Sequence, residues 1–286
     1  MMEKKYKICF LILNYITYDE TIKCVQSIID MIDSANYEIV IVDNSSPDNS
    51  GNKILKKYEN NRQIHVILNE ENVGFLAGNN VGYVYAKNKL KCDFIVMLNS
   101  DTYLIQNDFF KQIIIEYNKS KFAILGPQIH NLNGKYQMHN GDLITISKLK
   151  KDLIKFRILK IINKLNFYYG PKEKNDVKNY DIRRENVVLH GCCLVFSPIF
   201  LYNFGELPVK SRFYYEEEIL YIYSKMKNLK TVYCPSVKIF HLQKASTTRH
   251  TKSNKNRYDF IFTNLIKSGK VLLNELKKME KKTNDK

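Results

Sequence analysis

The sequence has no run of about eighteen apolar residues, so it holds nothing long enough to cross a bilayer as a helix. No Cys-x-x-Cys pair occurs among cysteines 9, 24, 92, 192, 193 and 234, and no secretory leader precedes them; a reduced, cytoplasmic setting is expected. Arginine is scarce, supplying seven of the 45 basic residues. A nucleic-acid groove mixes arginine with stacking aromatics, so no nucleic-acid partner is expected. No Gly-x-Gly-x-x-Gly follows the first apolar run, and Gly74-Phe75-Leu76-Ala77-Gly78 lacks the Gly-Lys-Ser/Thr of a P-loop. A dinucleotide oxidoreductase and a P-loop NTPase are both disfavoured.

What is present is a chain of 286 residues, 44% hydrophobic and 26% charged, able to bury a large core as one domain or one domain plus an appendage. Its net charge of +16 is unevenly spread: Lys148 to Lys164 carries +6 and Lys244 to Lys286 carries +8, leaving +2 for the rest. Within these segments Leu149, Leu153, Phe156, Ile162 and Leu165, and then Tyr258, Ile261, Leu265, Leu272 and Leu276, trace apolar stripes through the lysines. Lysine beside Leu, Ile and Phe suits a membrane surface, and peripheral contact through 148–165 and 258–282 is one expectation. Packing of the same stripes on the domain, with the lysines simply solvated, is the other.

Phe94 to Leu98 is a short apolar run that ends in Asn99-Ser100-Asp101-Thr102, a pattern that suits a buried parallel strand delivering a carboxylate at its end. A turn or helix-cap role for Asp101 fits the same residues. Ile8 to Leu13, Tyr37 to Val42 and Ile64 to Leu68 read as further strands. The intervening helices fall at 48–60, 76–89 and 106–118, with an earlier one whose apolar face is Ile22, Val25, Ile29 and Ile32. This alternation implies parallel βαβ units. Asn14, Asp43 and Asp101 then fall at corresponding strand ends, where an open α/β sheet binds its ligand, here a nucleotide or phosphorylated compound.

Taken in order, Leu13-Asn14-Tyr15, Val42-Asp43-Asn44-Ser45-Ser46, Asn72-Val73-Gly74-Phe75 through Gly78-Asn79-Asn80, and Leu98-Asn99-Ser100-Asp101-Thr102 resemble the successive motifs of family 2 glycosyltransferases, in the rhamnosyltransferase-like branch. The resemblance spans about residues 6 to 245. It implies a GT-A-like (Rossmann-like) α/β fold, a mostly parallel sheet flanked by helices, here with basic helical appendages. The nucleotide-sugar half would be about 6–126 and the acceptor half about 127–245, with a basic helical insertion at 144–186 and a basic C-terminal extension at 246–286. Asn14, Asp43, Asn72, Gly74, Asn99 and Asp101 would surround a nucleotide diphosphate sugar, with Asp43 against the base. Asp101 and His241 would hold Mg²⁺ or Mn²⁺. The first acid of the family's Asp-x-Asp is Asn99 here, which brings an amide but no charge to a metal.

In the second half, Arg212-Phe213-Tyr214-Tyr215-Glu216-Glu217-Glu218 resembles the family's aromatic-Glu-Asp segment, and Thr231 to Pro235 its Val-Tyr-x-Pro strand. Inverting transfer needs a base for the acceptor hydroxyl. Glu217 is expected in that role and Glu216 second, because adjacent carboxylates repel and raise a pKa. Three acids opening a helix also suit its dipole without any catalytic part. His190 falls in the family's acceptor-side segment, and Cys192 and Cys193 read as small core residues. The implied acceptor is a glycan or polyprenyl-linked glycan at the inner face of the plasma membrane. A nucleotidyltransferase and a non-catalytic sugar-nucleotide or glycan-binding partner are the alternatives.

Overall fold

A computed structural model of the chain describes residues 6–32, 36–132, 134, 136–137, 141–164, 180–242 and 254–284. The first half alternates as the apolar runs require: β1 (Ile8–Asn14), α1 (Tyr18–Met31), β2 (Tyr37–Asp43), α2 (Ser50–Tyr58), β3 (Ile64–Leu68), α3 (Phe75–Asn88) and β4 (Phe94–Asn99). β1 pairs in parallel with β2 and β4, and β2 with β3. Residues 94–98 of β4 are buried throughout, as expected of a strand covered on both faces. Side chains alternate between two layers: Ile8, Phe10 and Ile12 join one core, Cys9 and Leu11 the other. In α1 the buried face is Thr21, Cys24, Val25 and Ile28, rotated from the face expected, and Ile29 is exposed. The polar Thr21 is drawn inward because its hydroxyl donates to Asn14 Oδ1 at 2.8 Å.

The second half is mixed rather than parallel. β5 (Thr102–Leu104), α4 (Phe109–Ser120), β6 (Ile124–His130) and β7 (Tyr136–Gln137) lead into α5 (Ile146–Lys164). β8 (Arg184–Glu185), β9 (Cys193–Phe196), α6 (Pro198–Asn203), α7 (Glu216–Met226), β10 (Thr231–His241) and α8 (Asn254–Asn284) complete the described elements. The main sheet path is β3-β2-β1-β4-β9-β6-β10-β5, with β7 on β6 and β8 on β10. β9 joins the halves by antiparallel pairing to both β4 and β6. β10 is one strand with a register shift between Cys234 and Lys238, at Pro235, which has no N–H to give a ladder.

α5 and α8 share a third apolar cluster with α7, in which Leu149, Leu153, Leu272 and Leu276 pack against Ile219 and Ile222. Four of the residues in the two lysine-rich stripes are thus covered by the protein itself; Leu165 lies outside the described residues. All six cysteines are buried free thiols.

The chain re-enters the sheet after residue 180 through an ion pair. Arg183 donates from Nε and Nη2 to the carboxylate of buried Glu116 on α4, at 2.7 to 3.1 Å. This clamp fixes the segment that runs from β8 toward the ligand edge. Arg183→Ala leaves a buried carboxylate without its cation and is expected to cost about 3 kcal/mol. Arg183→Ala/Glu116→Gln should cost less than the two single changes together. Thermal and urea unfolding of the four proteins checks this; additive costs would show that the clamp is unimportant.

Candidate active site

β1 lies between β2 and β4, so the connections leave it in opposite directions and open a crevice at its carboxyl end. Asn14 ends β1, Asp43 ends β2, and Asn99 ends β4 with Asp101 two residues on. Asn14 is fully buried. Its Nδ2 donates to Asp43 Oδ1 (2.6 Å) and Ser50 Oγ (3.0 Å), while its Oδ1 accepts from Thr17 and Thr21. Asp43 also accepts from the Ser46 backbone N–H (2.9 Å) and hydroxyl (2.6 Å). The Asn14 side chain is thus fully engaged within the protein and orients Asp43.

The 69–74 loop is tied to the same edge by Asn44, which sequence reasoning left out of the candidate residues. Its Oδ1 accepts from Asn69 Nδ2 (3.1 Å) and Val73 N (3.2 Å); its Nδ2 donates to Asn72 Oδ1 (3.2 Å) and Gly74 O (3.1 Å). Gly74 has φ +95° and lies against Arg212, where a Cβ would meet Arg212 O at 2.7 Å. Only glycine combines that dihedral with that approach. Arg212 Nη2 in turn donates to Asn72 O at 2.7 Å, so the loop before α7 closes onto the loop before α3.

His241 reaches Asp101 because β10 pairs antiparallel with β5, placing His241 opposite Thr102, and Leu242 N donates to Asp101 O at 3.0 Å. Gln137 Oε1 lies 2.7 Å from His241 Nδ1, and Asp101 Oδ1 lies 3.2 Å from His241 Nε2, so both ring nitrogens are held and a proton or a cation can sit between Nε2 and the carboxylate. Asp101 Oδ2 and Asn99 Oδ1 are also buried without a hydrogen-bond partner, a costly condition for polar atoms. This donor set fits a divalent cation. Among the described residues no group of three or more His, Cys, Asp or Glu side chains converges. Asp101 and His241 would thus be completed by oxygens from ligand or water. Gln137 stands behind His241 and holds its ring from the Nδ1 side, on a two-residue strand that no sequence signal marks.

Beside these atoms lies a cavity of about 270 Å³ lined by Asn99, His190, Glu216, Glu217, Phe213 and Phe260, among others. The glutamates open α7 after Tyr214 and Tyr215, both left-handed with φ 70° and 65°. Consecutive non-glycine residues in that region carry strain of the kind found where geometry is held for function. Burial, then the charge of Glu217, pushes the Glu216 carboxyl up to about 8. The same two causes take Glu218 to about 8. Burial also raises Glu217, opposed by the Gly191 N–H that donates to its Oε1 at 3.1 Å. A Cβ at Gly191 would sit 2.5 Å from that oxygen, so a side chain there would displace the carboxylate.

His190 is brought to the same wall. Burial, then the nearby His241, lowers its pKa to about 4, and its Nδ1 accepts from Cys192 N–H at 3.1 Å. The ring is therefore neutral at neutral pH and carries its proton on Nε2. Sequence reasoning noted its segment but gave it no role.

Residues 9–180, more than half of the chain, match the sequence profile of Glycosyl transferase family 2. The chain is a family 2 glycosyltransferase. It is 26% identical over 266 residues to the low-salt glycan biosynthesis hexosyltransferase Agl10 of Haloferax volcanii, covering 86% of this chain and 78% of that protein. Two solved structures share the fold. S. aureus TarS 1-349 superposes with TM-score 0.52 at 14% identity, covering 96% of this chain and 71% of its own. GalNAc-T7, solved with UDP, GalNAc and Mn²⁺, superposes with TM-score 0.58 at 14% identity over 84% of this chain and 44% of its own. The glycosyltransferase accordingly has the GT-A architecture, a central mixed sheet flanked by helices.

The raised carboxyl of Glu216 makes the site a destabilising element at high pH. A folded-state pKa above the ordinary 4.5 means that stability present in acid is lost as pH rises toward about 8. Glu216→Gln should therefore melt higher than wild type at pH 8, with the gap closing toward pH 4.5. Melting curves of the two proteins across that range test it, and a constant gap would refute it.

Proposed function

We propose that this glycosyltransferase moves a hexosyl or rhamnosyl group, with inversion, from a nucleotide diphosphate sugar bound with Mg²⁺ or Mn²⁺ to a hydroxyl of a glycan. The observation that carries this reading is the placement of unpaired buried oxygens on Asn99 and Asp101 beside a cavity whose other wall is Glu216 and Glu217. Asp43, held by Asn14 and Ser46, faces the nucleoside end; Asn72 and Gly74 shape the loop above it. Asp101 and His241 hold the cation, which when bound offsets the charge growing on the leaving diphosphate. Glu217, fixed by Gly191 N–H, accepts the proton of the acceptor hydroxyl as its oxygen bonds to the anomeric carbon and the carbon–phosphate-oxygen bond breaks on the opposite side. Burial raises the basicity of Glu217, and its charge in turn raises the neighbouring Glu216.

Similar proteins support the substrate classes. Agl10 is a glycan biosynthesis hexosyltransferase, TarS has been solved with UDP and with UDP-GlcNAc, and GalNAc-T7 with UDP and Mn²⁺. We place the reaction in surface polysaccharide synthesis, with a polyprenyl-linked glycan as acceptor at the inner face of the plasma membrane. No helix among the described residues is long and apolar enough to cross a membrane; the contact in this reading is peripheral. The catalytic domain in this reading is 1–245, with 246–286 as an extension that completes its acceptor wall through Phe260.

Two measurements test the reading. A panel of nucleotide sugars should raise the melting temperature with Mn²⁺, not with EDTA, and not in Asp101→Ala; no shift with any nucleotide diphosphate would leave a non-catalytic glycan-binding role as the better account. Glu217→Gln should keep that shift yet lower transfer by roughly 10²–10⁴-fold. In wild type the rate should climb with pH through an apparent pKa above the ordinary 4.5 of glutamate. A flat profile, or an active Glu217→Gln enzyme, would sink its assignment as base.

A further inference from the structure

α5 has two apolar faces. One is spent inside the protein: Leu149 and Leu153 enter the cluster with α7 and α8, and Phe156 stacks on Phe262 with ring centroids 6.3 Å apart. Lys160 Nζ donates to Thr263 (2.6 Å) and Asn163 Nδ2 to Lys255 O (3.1 Å), which lock the helix in rotation. The opposite face carries Ile154, Ile158 and Ile161, which are 56%, 52% and 62% exposed. Their spacing of four and then three residues places them in one row about 10 Å long. A row of three isoleucines in water differs from the single exposed apolar residues that any surface carries.

The charges around that row are of one sign. At about 100° per residue, Lys150, Arg157 and Lys164 lie along one flank and Lys151 and Lys155 along the other, all exposed. Asp152, the one acid of the helix, projects from the opposite side, where its charge bears on Tyr215. Apolar side chains between two rows of cations match an anionic lipid surface, with isoleucine entering the acyl boundary and lysine meeting headgroup phosphates. A second copy of the chain would bring the same cations face to face and be repelled. A nucleic acid would find one arginine and no outward aromatic ring on this face, since Phe156 is turned inward.

The position of the helix gives the contact a use. α5 is fixed along α8, and α8 supplies Phe260 to the cavity that holds Glu217 and packs that ring on Phe213 at 5.3 Å. We propose that Ile154, Ile158 and Ile161, with the flanking Lys150, Lys151, Lys155, Arg157 and Lys164, form a docking face for the anionic surface of a bilayer. The face sets the cavity at a lipid surface, where a lipid-linked acceptor would present its glycan. It extends the lipid-linked reading of the acceptor but stands on α5 alone.

Flotation of the full chain with vesicles of phosphatidylcholine containing phosphatidylglycerol, against pure phosphatidylcholine, tests the face. Binding should require the anionic lipid and collapse at about 0.5 M salt, where charges are screened beyond a few ångströms. Ile154→Ser/Ile158→Ser/Ile161→Ser should reduce partitioning at least about tenfold, as expected for removing three inserted apolar side chains. Lys150→Gln/Lys151→Gln/Arg157→Gln should abolish the preference for anionic vesicles. Both variants should keep the Mn²⁺-dependent melting shift with nucleotide sugar, which shows that they fold and that the cavity is intact. Equal binding to both vesicle types would overturn the proposal, as would undiminished binding by the isoleucine variant. So would a dimer in light scattering that the isoleucine variant dissolves. If wild type floats with anionic vesicles but shows no nucleotide-sugar shift, the transferase reading fails and the docking face stands.

Discussion

A carboxylate kept out of water with one oxygen unpaired is the constraint that organises this molecule. Asp101 is 3% exposed, its Oδ2 has no hydrogen bond, and its Oδ1 lies 3.2 Å from His241 Nε2. Such a group is tolerated only where the surrounding fold leaves it no alternative. The fold does so by closing the sheet from the far end of the chain: β10 carries His241 across 140 residues of sequence to Asp101, and β7 carries Gln137 behind it. The metal affinity attributed to the site, the neutrality of His190 and the orphaned amide oxygen of Asn99 all follow from the dryness of this one crevice.

The glutamate side of the cavity is built on the opposite principle. Glu216, Glu217 and Glu218 lie at a helix start, where the dipole favours negative charge, yet burial raises all three. Two left-handed tyrosines deliver them, and the buried cluster of α5, α7 and α8 holds the helix in place. Acids placed where they are hard to ionise become stronger bases once ionised, so in the proposed mechanism packing on the far face of α7 would tune the chemistry.

Much of this was legible from residues alone, for reasons that separate cleanly. The parallel half was readable because short Ile- and Val-rich runs alternate with helical periodicity, and Asn14, Asp43, Asn99 and Asp101 are anchored to the ends of those runs. The register of the second half was not readable: β5, β7, β8 and β9 are two to four residues long, too short to show a period, and their pairings span long stretches of chain. Gln137 belongs to the site only through such a pairing, and Phe260 only through the packing of α8 beside α7. Asn44 was visible inside its motif but indistinguishable from a turn asparagine until its four hydrogen bonds were seen. In α5 the stripe traced through Leu149 and Leu153 is real, but apolar residues on both sides of the helix blur its period. The row left in water, Ile154, Ile158 and Ile161, was hidden behind the row that packs.

The fit between Gly191 and Glu217 bears on how sequences of this fold can drift. A backbone N–H at 3.1 Å and a missing Cβ that would sit 2.5 Å from the carboxylate mean that each position defines the space of the other. A side chain at 191 would push that carboxylate aside, and the shorter aspartate at 217 would withdraw it, so where the acid stands in the cavity is set as much by the atom that position 191 lacks as by the residue that carries the charge.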